Sequence, residues 1–162
     1  MSVDTVPNVE DLAEMVEQVW TSYLDPEGVD PLIPAESGEA ASEVHSSVSI
    51  TGTWQGAVVY GSSVAAARHA AAAFLAMEPD EVSEEDISDV LGEIANIVGG
   101  NVKAMLPAGC LLSLPQVVLA PEWASRYPSA VQVAGLYGTW RGEPVSITMW
   151  QSRTDAKEGG TA

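Results

Sequence analysis

From Ile87 to Met105, apolar residues recur three or four positions apart: Ile87, Val90, Leu91, Ile94, Ile97 or Val98, Val102 and Met105. Such spacing collects side chains on one face only if the segment is helical, so a long helix must lie with one side against a core. Its ends are marked. Ser83 is an N-cap followed by Glu84, Glu85 and Asp86, which suit the positive end of the helix dipole, and Pro107 with Gly109 stops it. A second stripe runs between the apolar positions: Asp86, Asp89, Glu93, Asn96, Gly100 and Lys103. Glu93 and Asn96 are surface neighbours one turn apart on that stripe. The glycines are the odd part, because each one inside a helix costs about 1 kcal/mol relative to alanine, and Gly92, Gly99 and Gly100 all sit here. Gly92, Ala95 and Gly99 flank Asn96, so the expectation is a helix that bares its backbone there for close approach.

The rest of the chain supplies the other layers. Residues 8–24 predict an amphipathic helix with Asn8 as N-cap and Val9, Leu12, Val16, Val19, Trp20 and Tyr23 on its buried face. Residues 25–41, rich in proline and glycine, predict a loop. Val44 to Ile50 and Ala57 to Tyr60 predict a hairpin closed through Gly52-Thr53-Trp54-Gln55-Gly56. A helix capped by Ser62 or Ser63 should run to about Met77, where Pro79 breaks it. Beyond the long helix come a strand near Leu111 to Val118, interrupted by Pro115, and a loop holding Pro121 and Pro128. A hairpin of Val131 to Thr139 and Pro144 to Gln151 follows. The order α-β-β-α-α-β-β-β, with strands arriving in hairpins, predicts an α+β architecture with a largely antiparallel sheet under helices. Residues 1–151 should form one domain and residues 152–162 a loose polar tail.

Composition removes several function classes. The formal net charge is -17, and the six basic residues are scattered, so a phosphate-neutralising nucleic-acid surface and adhesion to anionic membranes are both excluded. A partner with a basic patch would be attracted instead. No apolar run reaches spanning length and the N-terminus lacks a signal-peptide pattern, so a cytoplasmic location is expected. Cys110 is the sole cysteine and reads as a buried thiol; His45 and His69 are too separated for a metal site, so no metal is expected. Trp54 and Trp140 fall at hairpin turns, where packing is the expected role. Taken alone, Glu93 and Asn96 read as a solvated helix face and the glycines as places of close packing. Only their coincidence on one helix favours a site.

The string Asp89-Val90-Leu91-Gly92-Glu93-Ile94-Ala95-Asn96-Ile97-Val98-Gly99-Gly100-Asn101 resembles the signature of the CheC/CheX/FliY family of chemotaxis phosphatases: an acid or serine, three residues, a glutamate, two residues, an asparagine and a later proline. Asp89, Glu93 and Asn96 match the helix positions, Gly100-Asn101 is typical of the family, and Pro115 matches the proline. The first helix carries no second copy, since Asp11 to Glu17 lacks the asparagine, which resembles CheX. The resemblance implies a homodimer that removes the phosphoryl group from the aspartate of a CheY-like response regulator. Asn96 would orient the attacking water and Glu93 would bind the partner's active-site lysine, with Asp89 in support and the glycines clearing the approach. No cofactor is implied on this chain; Mg²⁺ would be held by the receiver domain. The alternative is a non-catalytic adaptor of the same fold that binds a receiver or a flagellar-switch component.

Overall fold

Asn8 opens the first helix with a closed capping box: its side chain accepts from the Asp11 amide at 2.8 Å while the Asp11 carboxylate accepts from the Asn8 amide at 3.0 Å. In this computed structural model, which describes residues 6–36, 42–119 and 129–152, α1 spans Val9–Val19 and continues into a π turn at Trp20–Leu24. The wider turn rotates Tyr23 outward, against expectation, where it stacks on Phe74 with ring centroids 5.4 Å apart. Val9, in the first turn, is also exposed rather than buried. Helix α2, Val64–Leu75, starts at Ser63, whose hydroxyl accepts from the Ala66 amide. Helix α3, Glu84–Met105, starts at the Ser83–Asp86 capping box.

Among the described residues, seven strands form one antiparallel sheet: β1 (Ile33–Pro34), β2 (Val44–Gly52), β3 (Gly56–Ser62), β4 (Cys110–Leu112), β5 (Gln116–Val118), β6 (Ala130–Trp140) and β7 (Glu143–Ser152). Their order is β1-β6-β7-β3-β2-β4, with β5 also on β2. The expected α+β class holds, with two differences. β1 lies inside the expected loop, paired through Ile33 to Thr139. The expected strand at Leu111 to Val118 is two short strands, because Pro115 has no N–H to give a ladder. The β2–β3 connection is only Thr53 to Gln55, since both flanking glycines belong to strands. Gly52 has a φ of 117°, and a Cβ there would collide with the Gly109 carbonyl. Arg141 and Gly142 both take positive φ, closing β6–β7 as a two-residue turn that suits the strand twist. The expected tail beyond Ser152 and the loop of Pro121 and Pro128 lie outside the described residues.

Helices α1, α2 and α3 lie on one sheet face. Val48, Ile50, Val58, Tyr60, Ile147 and Met149 from the strands meet Leu12, Val16, Leu91, Ile94 and Val98 from the helices in one buried cluster. Ala57, Val59 and Trp150 pack together on the opposite face. Trp54, Trp140 and Cys110 are buried, as expected; Trp140 donates Nε1–H to the Asp30 carbonyl at 2.7 Å and meets Trp20 edge-on.

Burial pushes the Tyr60 phenol from 10.0 up to about 12. Between those values the unfolded chain has lost a proton that the folded chain keeps, so stability falls as pH rises, by about 3 kcal/mol in total. Tyr60→Phe should flatten this alkaline decline, measured by denaturant unfolding from about pH 9 to pH 11.5. An equally steep decline in the variant would assign it to other groups.

Candidate functional site

Helix α3 buries Ile87, Val90, Leu91, Ile94, Val98 and Val102, and turns Asp89, Glu93 and Asn96 to solvent. Val98, at 1% exposure, completes the apolar stripe, while Ile97 is half-buried at its border. The side chains of Asp89, Glu93 and Asn96 make no hydrogen bond or ion pair with any described residue. Glu93 and Asn96, about 5–6 Å apart at Cβ by helical geometry, are thus a free acid and a free amide side by side. Asn101 behaves differently: its side-chain amide donates to the Ile97 carbonyl at 2.8 Å, turned back on its own helix.

The glycines correct the expectation of an open backbone. Gly92 and Gly99 are buried, not bared. A Cβ on Gly99 would collide with Cγ2 of Val48, so this glycine lets α3 settle onto β2. A Cβ on Gly92 would rest 3.6 Å from Cγ of Pro115 and 3.7 Å from Cγ2 of Val117, in ordinary contact. Gly100 alone of the three has nothing within 4 Å of that position, and only there does the small side chain leave room outside. Helix rotation makes Gly92 the neighbour of Asn96 on the side facing the sheet edge. Its contact with Pro115 therefore brings the proline alongside the acid–amide pair. Asp89, Glu93, Asn96 and Gly100 follow one another along the outer stripe of α3, with Pro115 beside it at Gly92; Gly99 and the Asn101 amide serve the helix itself.

The site is convex. A cavity of about 460 Å³, lined by Val16, Trp20, Leu32 and Leu136 among others, lies between α1 and β6 and contains none of these residues. An exposed helix face with free polar groups carries the chemistry better than this cavity, provided a macromolecular partner supplies the cleft. Sequence reading passed over Ser113, whose hydroxyl accepts from the Ser49 amide at 2.9 Å and ties the Pro115 segment to β2. A serine just before a break in a strand was the available signal. Among the described residues, no three His, Cys, Asp or Glu side chains are placed to hold a metal ion, and no helix is long and apolar enough to cross a membrane.

Such a fold and site define an α+β domain that turns one face of a long helix to solvent. The family model described as chemotaxis phosphatase CheX matches residues 44–138, more than half of the chain, and the chain belongs to that family. It is similar in structure to the chemotaxis protein CheX of Vibrio vulnificus, with a TM-score of 0.70 and 18% identity over 87% of this chain and 93% of that one. The structure of the CheX–CheY–BeF₃–Mg²⁺ complex from Borrelia burgdorferi matches with a TM-score of 0.68 and 14% identity, covering 91% and 99%. The FliM middle domain of Vibrio alginolyticus matches with a TM-score of 0.60 and 11% identity, covering 94% of each chain. At these identities the likeness is one of fold. No curated protein sequence matches the chain.

Proposed function

We propose that this chain is a phosphatase for the aspartyl phosphate of a CheY-type receiver domain. The observation that carries the reading is the pair Glu93 and Asn96, exposed, one turn apart and without a side-chain partner among the described residues, on the outer face of α3. Family membership supports it, and so does the solved complex in which a CheX of the same fold is bound to CheY.

The acyl phosphate already has a good leaving group, and Mg²⁺ sits on the receiver, so the phosphatase has little covalent work to do. It must hold a water in line with phosphorus. The Asn96 amide oxygen accepts a hydrogen bond from that water without bringing negative charge against the phosphoryl oxygens. The water oxygen bonds to phosphorus, the bond from phosphorus to the aspartyl oxygen breaks, and the carboxylate leaves with the electron pair. The attacking water gives up a proton to bulk solvent as inorganic phosphate departs. Glu93 takes the receiver's lysine in a charge-assisted hydrogen bond and fixes register. The homodimer implied by the resemblance belongs to this proposal, and light scattering measures it.

The test is release of inorganic phosphate from phosphorylated receiver domains of the same cell, with Mg²⁺ present. The competing reading, docking without turnover, gives binding with an unchanged rate of phosphate loss. Glu93→Ala should weaken the complex about tenfold at low salt, with the loss shrinking as ionic strength rises. A salt-independent loss would remove the ion pair from the account.

A further inference from the structure

Among the described residues, Leu114 is the most exposed large apolar side chain, 86% open to solvent. Single exposed leucines are ordinary on protein surfaces. Leu114 differs in where it stands and in how firmly it is held. On one side Ser113 is clamped to β2: its amide donates to the Ser49 carbonyl and its hydroxyl accepts from the Ser49 amide, both at 2.9 Å. The same hydroxyl donates to the Leu114 carbonyl at 2.9 Å. On the other side Pro115 fixes its own φ and lies against Gly92, next to Asn96. Both β4 and β5 are paired with β2, so the segment between them is tied at each end. An apolar side chain on such a clamp adds nothing to the core, and little backbone freedom is left to lose on docking.

We infer that Leu114 is a specificity-determining docking residue, the apolar contact that seats the receiver domain beside the Glu93–Asn96 face. The inference rests on the proposed phosphatase reading for the nature of its partner. Glu93 supplies a polar contact that many basic surfaces could meet; Leu114 asks for an apolar patch on the receiver at a fixed offset from the phosphorylated cleft.

The experiment measures Kd by calorimetry for a receiver loaded with beryllofluoride and Mg²⁺, together with KM and kcat for the phosphorylated receiver. Leu114→Ala should raise Kd and KM about tenfold, equally at low and high salt. Its kcat at saturation and its melting temperature should stay as in the parent chain. Leu114→Met, which keeps the apolar volume, should recover most of the affinity. Unchanged Kd and KM in Leu114→Ala, or a lowered kcat with Kd intact, overturns the docking role. A parent chain that binds the loaded receiver but releases no phosphate overturns the phosphatase reading alone, and Leu114 is then judged by Kd. A parent chain that binds no receiver overturns both.

Discussion

Asn96→Ala should lower phosphate release from a saturating phosphorylated receiver by about 10²–10³-fold while leaving Kd for the loaded receiver within a factor of two or so. The reasoning is geometric. Asn96 is exposed and its side chain makes no hydrogen bond with the described residues, so removing its amide takes little from the fold. Surface substitutions of this kind stay within about 0.5 kcal/mol of the parent. What is lost is the acceptor that holds water in line, a contribution realised only when phosphorus is attacked. Pre-steady-state measurement of phosphate release separates that loss from binding. Full activity in the variant would remove Asn96 from the mechanism, and a parallel fall in affinity would assign it to docking.

The second large effect concerns packing. Gly99→Ala should destabilise the chain by about 1 kcal/mol or more, although alanine gains about 1 kcal/mol of helix propensity. The added methyl meets Cγ2 of Val48, a stiff β-branched side chain in the middle of β2, and one of the two elements must shift. Gly100→Ala, one residue on, should do the opposite and stabilise by about 0.5–1 kcal/mol, because nothing lies within reach of its methyl. Denaturant midpoints with unchanged slope measure both. Equal effects at the two positions would contradict the assignment of Gly99 to the helix–sheet contact. The same Gly100→Ala protein tests close approach: if the receiver comes within a methyl's width of the helix there, affinity drops while stability rises.

Local chemistry made most of the helical frame legible. Asn8, Ser62 or Ser63, and Ser83 announced three helix starts; the side chains of Asn8, Ser63 and Ser83 each accept a hydrogen bond from an amide of the first turn. The runs Val44 to Ile50 with Ala57 to Tyr60, and Val131 to Thr139 with Pro144 to Gln151, marked the two hairpins. Features that depend on distant partners stayed hidden. β1 is two residues long, sits among prolines, and exists because Thr139 and Gly138 are there to pair with it. The π turn at Trp20 follows from packing, and no residue type marks it.

In the site, spacing alone placed Asp89, Glu93 and Asn96 on one exposed stripe. It misread Gly92 and Gly99, because helical rotation tells which residues share a side but not what that side meets. Only Val48 and Pro115, far away in sequence, decide that those glycines face the sheet. Leu114 was invisible for the same reason: a leucine before a proline reads as a broken strand until the clamp at Ser49 and Ser113 is seen.

The most direct test of the central claim is the decay of a phosphorylated receiver with Mg²⁺ when this chain is added at a small fraction of the receiver concentration. The expected result is loss of phosphate on every receiver molecule, at a rate proportional to the amount of chain added, with inorganic phosphate as the product. Decay at the receiver's own rate, despite a complex that forms, would contradict the phosphatase and leave a docking module in its place.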